Sequence, residues 1–200
     1  MSNVIRILGI DPGLNFTGYG IIDYLPGRYT RVTSGVLKVP YGELSERLGF
    51  IFEQLTQIID TYKPSVSAIE KTFLNTNAQS SMLLSHARGV AMCAPASRKL
   101  CCKEFSTREI KKAVTGTGAA DKVQVQSMVA RLLNEEESRF SSDESDAIAT
   151  AICYANSCIL VGILPAQKGT GKSATASARK GASAGRSRNA WTQKYEGKLK

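Results

Sequence analysis

The stretch VIRILGIDPGLNFTGY, residues 4–19, decides how the rest of the chain is read. Val4, Ile5, Ile7, Leu8 and Ile10 form a nearly continuous apolar run, the pattern of a strand buried on both faces of a sheet. Asp11 stands where that strand ends, and Pro12-Gly13 turns the chain at once. An ionised carboxylate beside a core strand is costly unless it is paired or bound to a cation. Asp before Pro-Gly also opens ordinary turns by bonding its own backbone. Asp11 alone fits either role, so the remaining acids carry the decision.

Composition sets the frame around that strand. A chain of 200 residues with 42% hydrophobic content can bury one sizeable core. No apolar run reaches the length of a membrane span, and the opening MSNVIRILGID lacks the layout of a signal peptide. Five cysteines without a Cys-x-x-Cys pair, and a single His, argue against zinc and for reduced thiols in a cytoplasmic protein. The net charge of +9 is unevenly placed. Residues 165–200 hold nine Lys or Arg against one acid, Glu196, so that tail carries +8 and residues 1–164 carry +1. Rich in Gly, Ala, Ser, Thr and Lys, the tail lacks the apolar surface to offset its ordering entropy and is expected to be disordered. It either attracts phosphates through counterion release or serves as a solubilising extension. Residues 166–173, AQKGTGKS, imitate a phosphate-cradling loop, but Ala166 replaces its first glycine and no amphipathic helix follows, which argues against an ATP site. The expected organisation is one folded domain over 1–164 and a basic tail over 165–200.

Beyond the Asp11 turn, residues 17–23 and 29–39 read as two more strands, joined by Leu25-Pro26-Gly27-Arg28 into an antiparallel meander. Leu44, Leu48, Ile51, Leu55, Ile58 and Ile59 then mark one apolar helix face that ends before Pro64. Residues 65–69 form a short strand closed by Glu70, and the intervening helix implies a parallel crossover. Glu70 thereby occupies the same kind of place as Asp11, at the carboxyl end of a core strand, where sites gather in α/β sheets. A surface Glu at a strand exit is the plain alternative. Phe73 follows in a polar loop, where it either anchors the loop or stacks on a base.

A second helix is expected over about 78–100 with Pro95 interrupting it. Met82, Leu83, Val90 and Met92 supply its apolar side chains, and Ala87, Gly89, Ala91 and Ala94 allow close packing on a sheet. His86 reads as an ordinary helix residue, and Arg88 as a partner for an acid. Residues 103–105 read as the last strand. Ser106-Thr-Arg-Glu109 is a capping box, Asp121 caps the next helix, and Lys111, Lys112 and Lys122 flank the glycine break between them. Such lysines are either solvated charge or phosphate contacts near a carboxylate site. Ser141-x-x-Glu144 caps a final helix that places Asp143 and Asp146 on one face of its first turns. Acids there are ordinary helix design, and the helix dipole is expected to lower their pKa values. Asp146, followed by a tightly packing apolar run, lies at a buried boundary.

Each acid has an ordinary explanation singly. Four acids converging on one pocket cannot all stay charged without a cation. Oxygen-only ligation selects Mg²⁺ or Mn²⁺. Two such ions about 3.5–4 Å apart activate a water and stabilise the leaving oxygen of a phosphodiester.

ILGIDPGLNFTGYG (7–20), AIEKTFLNTNAQSSMLLSHARG (68–89), VTGTGAADKVQVQ (114–126) and SDESDAIATAI (142–152) together resemble the RuvC family of Holliday junction resolvases. The resemblance implies an RNase H-like α/β fold, a mixed five-stranded sheet flanked by helices. It implies a homodimer that nicks four-way DNA junctions in pairs, with two Mg²⁺ per subunit or Mn²⁺ in their place. It further implies work beside the RuvA–RuvB branch-migration complex in recombination and repair. The family's catalytic, metal-holding acids fall on Asp11, Glu70, Asp143 and Asp146. Its active-site lysines fall on Lys111 and Lys122, and its base-engaging aromatic on Phe73. Lys112 and Arg88 are further candidates for DNA contact. The chain departs from the family in Cys153-Tyr154, where a Thr-His pair is common, in Glu144, and in its longer tail. Two other readings start from the same residues: an RNase H-like nuclease for another branched or hybrid nucleic acid, and an actin-like or sugar-kinase-like ATPase. The ATPase fold needs two such domains and a second phosphate loop.

Overall fold

The computed structural model describes residues 4–71 and 78–160. Strand β1 (Ile5–Asp11) lies at the centre of a five-stranded sheet. On one side it pairs antiparallel with β2 (Phe16–Leu25), which pairs antiparallel with β3 (Arg28–Lys38). On the other side β4 (Val66–Lys71) runs parallel to β1, and β5 (Cys102–Ser106) parallel to β4. The strand order is β3-β2-β1-β4-β5, the mixed sheet expected from a meander followed by crossovers. The crossover helix α1 (Leu44–Tyr62) stops as expected before Pro64. Lys63 turns left-handed at φ 50°, and its N–H closes on the Ile59 carbonyl at 2.8 Å.

Alternation along β1 divides the core into two layers. Leu8 and Ile10 meet Ile51, Leu55 and Ile59 of α1 and the small residues of α2 (Ala78–Ser97). Ile7 faces the other way, with Ala68 and Phe105, towards α3 (Thr107–Thr115), α4 (Lys122–Leu133) and α5 (Ser142–Leu160). A short 3₁₀ turn, Glu137–Arg139, connects α4 to α5. Asp11 shares the face of Ile7 and Gly9, so period two aims its carboxylate at α5.

Helix α5 approaches the sheet more closely than side chains would permit. A Cβ added at Gly9 would lie 2.0 Å from the Ala147 carbonyl oxygen, and one at Gly18 only 2.2 Å from that of Asp143. Absent side chains on β1 and β2 thus seat the helix backbone directly on the strands. Ala147, Ile148, Ala149, Ala151 and Ile152 of α5 are fully buried there.

Helix α2 departs from expectation in three ways. It continues through Pro95 and ends two residues later at Ser97, the proline removing the N–H that would bond the Ala91 carbonyl. Its buried face is Ala87, Ala91 and Ala94, packed with α1, whereas Met82 is 64% and Leu83 36% exposed. A Cβ added at Gly89 would meet nothing within 4 Å beyond its own helix, so this glycine does not serve a close approach to the sheet. Among the described residues, Cys93, Cys101, Cys102 and Cys153 are free thiols. No helix among the described residues is long and apolar enough to cross a membrane. The tail, the boundary after residue 164 and the glycine-rich stretch 166–173 lie outside the described residues.

The two environments of glycine give opposite expectations. Gly9→Ala forces α5 off the sheet and should lower stability by about 1–3 kcal/mol in urea denaturation. Gly89→Ala, in open space on a helix, should raise it by about 0.5–1 kcal/mol.

Candidate active site

Register brings the acids together. Ile10 pairs with Ile69 in the parallel β1–β4 ladder, so Asp11 and Glu70, each one residue further on, leave the same end of adjacent strands. Glu70 follows Ala68 by two and therefore points to the α5 side as Asp11 does. Asp11 is paired across β1–β2 with Gly18, the residue on which the Asp143 carbonyl rests. The close seat of α5 thus delivers its first turns beside Asp11. Ser141 and Glu144 bond reciprocally, each backbone N–H to the other side chain at 3.4 Å, which makes the expected cap.

One carboxylate oxygen each from Asp11, Asp143 and Asp146 lie within 4.8 Å of one another. Glu70 stands outside that trio but lines the same cavity of about 230 Å³ as Asp11 and Asp146. Thr107, Lys111 and Lys122 complete the polar lining, and Ile110 and Val125 form an apolar wall. Lys122 Nζ lies 3.5 Å from Asp146 Oδ2 and donates to Ser142 Oγ at 3.4 Å.

Burial raises the Asp11 pKa to about 8, reinforced by repulsion from Glu70, Asp146 and Asp143 and opposed by Lys122. Glu70 is also held above its ordinary value, mainly by burial, against a hydrogen bond from Thr107. For Asp146 the expected lowering by the helix dipole is overturned. Burial raises its pKa, and Lys122 only partly offsets that. The helix end is covered by the sheet, where desolvation exceeds a terminal dipole effect of about 0.3–1 kcal/mol. An all-oxygen donor set of mutually repelling acids, with three oxygens so close, fits a hard divalent cation.

The other candidates separate. Arg88 pairs with Glu104 of β5, which alternates with Phe105 and so lies on the α2 side of the sheet. That ion pair is the acid partner expected for Arg88, and it holds the side chain on the face of the sheet opposite the carboxylates. Lys112 is exposed on α3 and does not line the cavity. Phe73 lies outside the described residues. Cys153 is buried among core residues, its thiol pushed up to about 12 by burial, and Tyr154 meets Phe105 edge-on at 6.4 Å. These departures sit about two helical turns from Asp146 and serve packing. Glu144 accepts a 2.5 Å hydrogen bond from Ser34 of β3 as well as capping α5, so it is a structural acid. Sequence reasoning missed Thr107, whose hydroxyl donates to Glu70 Oε1. Its only local signal was a hydroxyl immediately after the Ser106 cap.

Comparison with known proteins agrees with this geometry. The family model "Crossover junction endodeoxyribonuclease RuvC" matches residues 7–154. A relative of that name from Caulobacter sp. (strain K31) is 49% identical over 154 residues, covering 76% of this chain and 90% of its own. Another of that name from Burkholderia ambifaria (strain MC40-6) is 44% identical over 177 residues, covering 88% and 94%. The fold matches that of Thermus thermophilus RuvC in complex with Holliday junction substrate, with TM-score 0.74 at 24% identity over 78% of this chain and 96% of that one. The yeast mitochondrial Holliday junction resolvase Ydc2 matches with TM-score 0.59 at 14% identity, covering 78% and 79%. Because the family match runs from β1 past the last acid of the site, with nearly half the residues identical in a relative over that span, the chain belongs to the RuvC family of crossover junction endodeoxyribonucleases.

Proposed function

We propose that this chain resolves four-way (Holliday) DNA junctions by paired, cation-dependent hydrolysis of phosphodiester bonds in recombination and repair. The observation that carries the reading is the set of carboxylate oxygens of Asp11, Asp143 and Asp146 within 4.8 Å, in a chain of this family. Asp11, Glu70, Asp143 and Asp146 would together hold two Mg²⁺, with Mn²⁺ as a substitute. The bound cations supply a nucleophilic oxygen at neutral pH and stabilise the departing 3′ oxygen. Asp11, the last residue of β1, fixes where the scissile phosphate is held. Lys122, 3.5 Å from Asp146, offsets charge that develops on the phosphate, and Lys111 supports it from α3. Ile110 and Val125 limit water on the apolar side of the pocket.

Two such sites in a two-fold homodimer account for symmetric cutting. Phe73 engages junction bases, Lys112 and the basic tail contact backbone phosphates, and the RuvA–RuvB complex supplies the junction.

A synthetic mobile four-way junction with Mg²⁺ should yield symmetric nicks on opposed strands. Equal cutting of linear duplex or of RNA–DNA hybrid would overturn the junction reading. Asp11→Asn should lower cleavage at least about 100-fold with junction binding retained, and Lys122→Ala should lower the single-turnover rate by about 100-fold. In chelator, the folded Asp11 carboxyl keeps its proton up to about pH 8 while the unfolded chain loses it near 4. The unfolded state therefore ionises first, and wild-type stability should fall as pH rises across that window. Asp11→Asn should melt higher than wild type at pH 8 without metal. Mn²⁺ should reverse that order, as read by thermal denaturation.

A further inference from the structure

Glu70 differs from the other acids in how it is held. Asp11, Asp143 and Asp146 are brought within 4.8 Å by the seat of α5 on the sheet, and Glu70 is not part of that trio. It is the penultimate residue of β4, and its carboxylate accepts a hydrogen bond from Thr107 through Oε1. We propose that Thr107 is the positioning residue for Glu70: its hydroxyl occupies Oε1 and leaves Oε2 as the donor to a divalent cation. The inference rests on the reading of Glu70 as a cation donor.

The backbone explains why Thr107 is placed to do this. In the parallel β4–β5 ladder Phe105 pairs with Glu70, and Ser106 with Lys71. Ser106 ends β5 and is also the N-cap of α3, so no loop intervenes and Thr107 emerges beside Glu70. The cap is closed in both directions. Ser106 Oγ accepts from the Glu109 N–H at 3.3 Å, and the Glu109 carboxylate accepts from the Ser106 N–H at 2.8 Å. The first turn of α3 is thereby fixed, and Thr107 with it. Residues 107, 110 and 111 fall on one helical face, and all three line the cavity. One face of α3 thus combines an anchor for Glu70, an apolar wall and the Lys111 ammonium.

A flexible Glu must lose rotamer freedom to ligate a cation. A hydroxyl that already holds one oxygen removes part of that loss before the cation arrives, as outer partners of metal ligands do. Thr107 is exposed, so removing its hydroxyl opens no hole in the core.

The test uses the full chain with Thr107→Val, which keeps the shape and loses the donor, and Thr107→Ser, which keeps the donor. Mn²⁺ binding to DNA-free protein is followed by calorimetry, and junction cutting is titrated with Mg²⁺. Thr107→Val should weaken Mn²⁺ binding and raise the half-saturating Mg²⁺ by about 10-fold, with the rate at saturating Mg²⁺ much less affected. Thr107→Ser should restore the wild-type metal requirement. In a Glu70→Gln background, Thr107→Val should add nothing further. The proposal is overturned if Thr107→Val titrates like wild type, if Val and Ser shift the titration equally, or if the Val effect persists without the Glu70 carboxylate. A wild-type chain that binds no Mn²⁺ would overturn the cation reading of the whole site, and this role with it. A failure confined to Thr107→Val would leave that reading standing.

Discussion

The contact of α5 with two glycines of the central strands is the constraint on which the site depends. Gly9 and Gly18 present bare backbone to the Ala147 and Asp143 carbonyls, at separations no Cβ could occupy. A helix held that close brings its first turns to the end of β1 without a linking loop. Asp143 and Asp146 then face Asp11 across a gap of cation size. The small residues on α5, Ala147 and Ala151, are the complementary half of the same contact. Packing so tight is also what makes the geometry reproducible, since displacement in either direction loses contacts throughout the layer.

That convergence has an electrostatic cost. Asp11 is buried and surrounded by like charge, and the Lys122 ammonium works against that repulsion. The fold tolerates the repulsion because the rest of the layer is apolar and well packed, from Ile7 and Phe105 to Val129 and Ile152. The surroundings of α5 are braced as well. Arg31 of β3 holds Glu135 through two hydrogen bonds of 2.9 Å and lies over the Phe140 ring, while Ser34 holds Glu144. β3 therefore grips both the connection leading into α5 and its cap. The edge strand most remote from the acids in the sheet order takes part in orienting two of them.

The division of labour between the sheet faces follows from strand alternation. Leu8 and Ile10 build the α1–α2 layer, and Ile7, Gly9 and Asp11 the layer that carries chemistry. The same rule separates Glu104 from Phe105 and draws Arg88 into an ion pair on the far side. It also accounts for Glu70, two residues beyond Ala68, facing the acids and coming within reach of Thr107.

What the sequence determined by itself was local. The apolar run ended by Asp11, the capping box at Ser106, the cap at Asp121, the helix stop before Pro64 and the apolar face of α1 depend on residues a few positions apart, and each is found in the structure. Asp11 and Glu70 were legible as candidates, since a charge at the end of a buried strand conflicts with its surroundings, and Asp143 and Asp146 because they share one face of the first turns of a helix. Tertiary structure decided what depends on register and layer. It buried Ala87 and Ala91 of α2 rather than Met82, and gave Arg88 to Glu104. It raised the Asp146 pKa where a helix dipole alone would lower it, and set a hydroxyl of α3 against Glu70. Those outcomes are sums over neighbours remote in the chain, and no window of adjacent residues contains them.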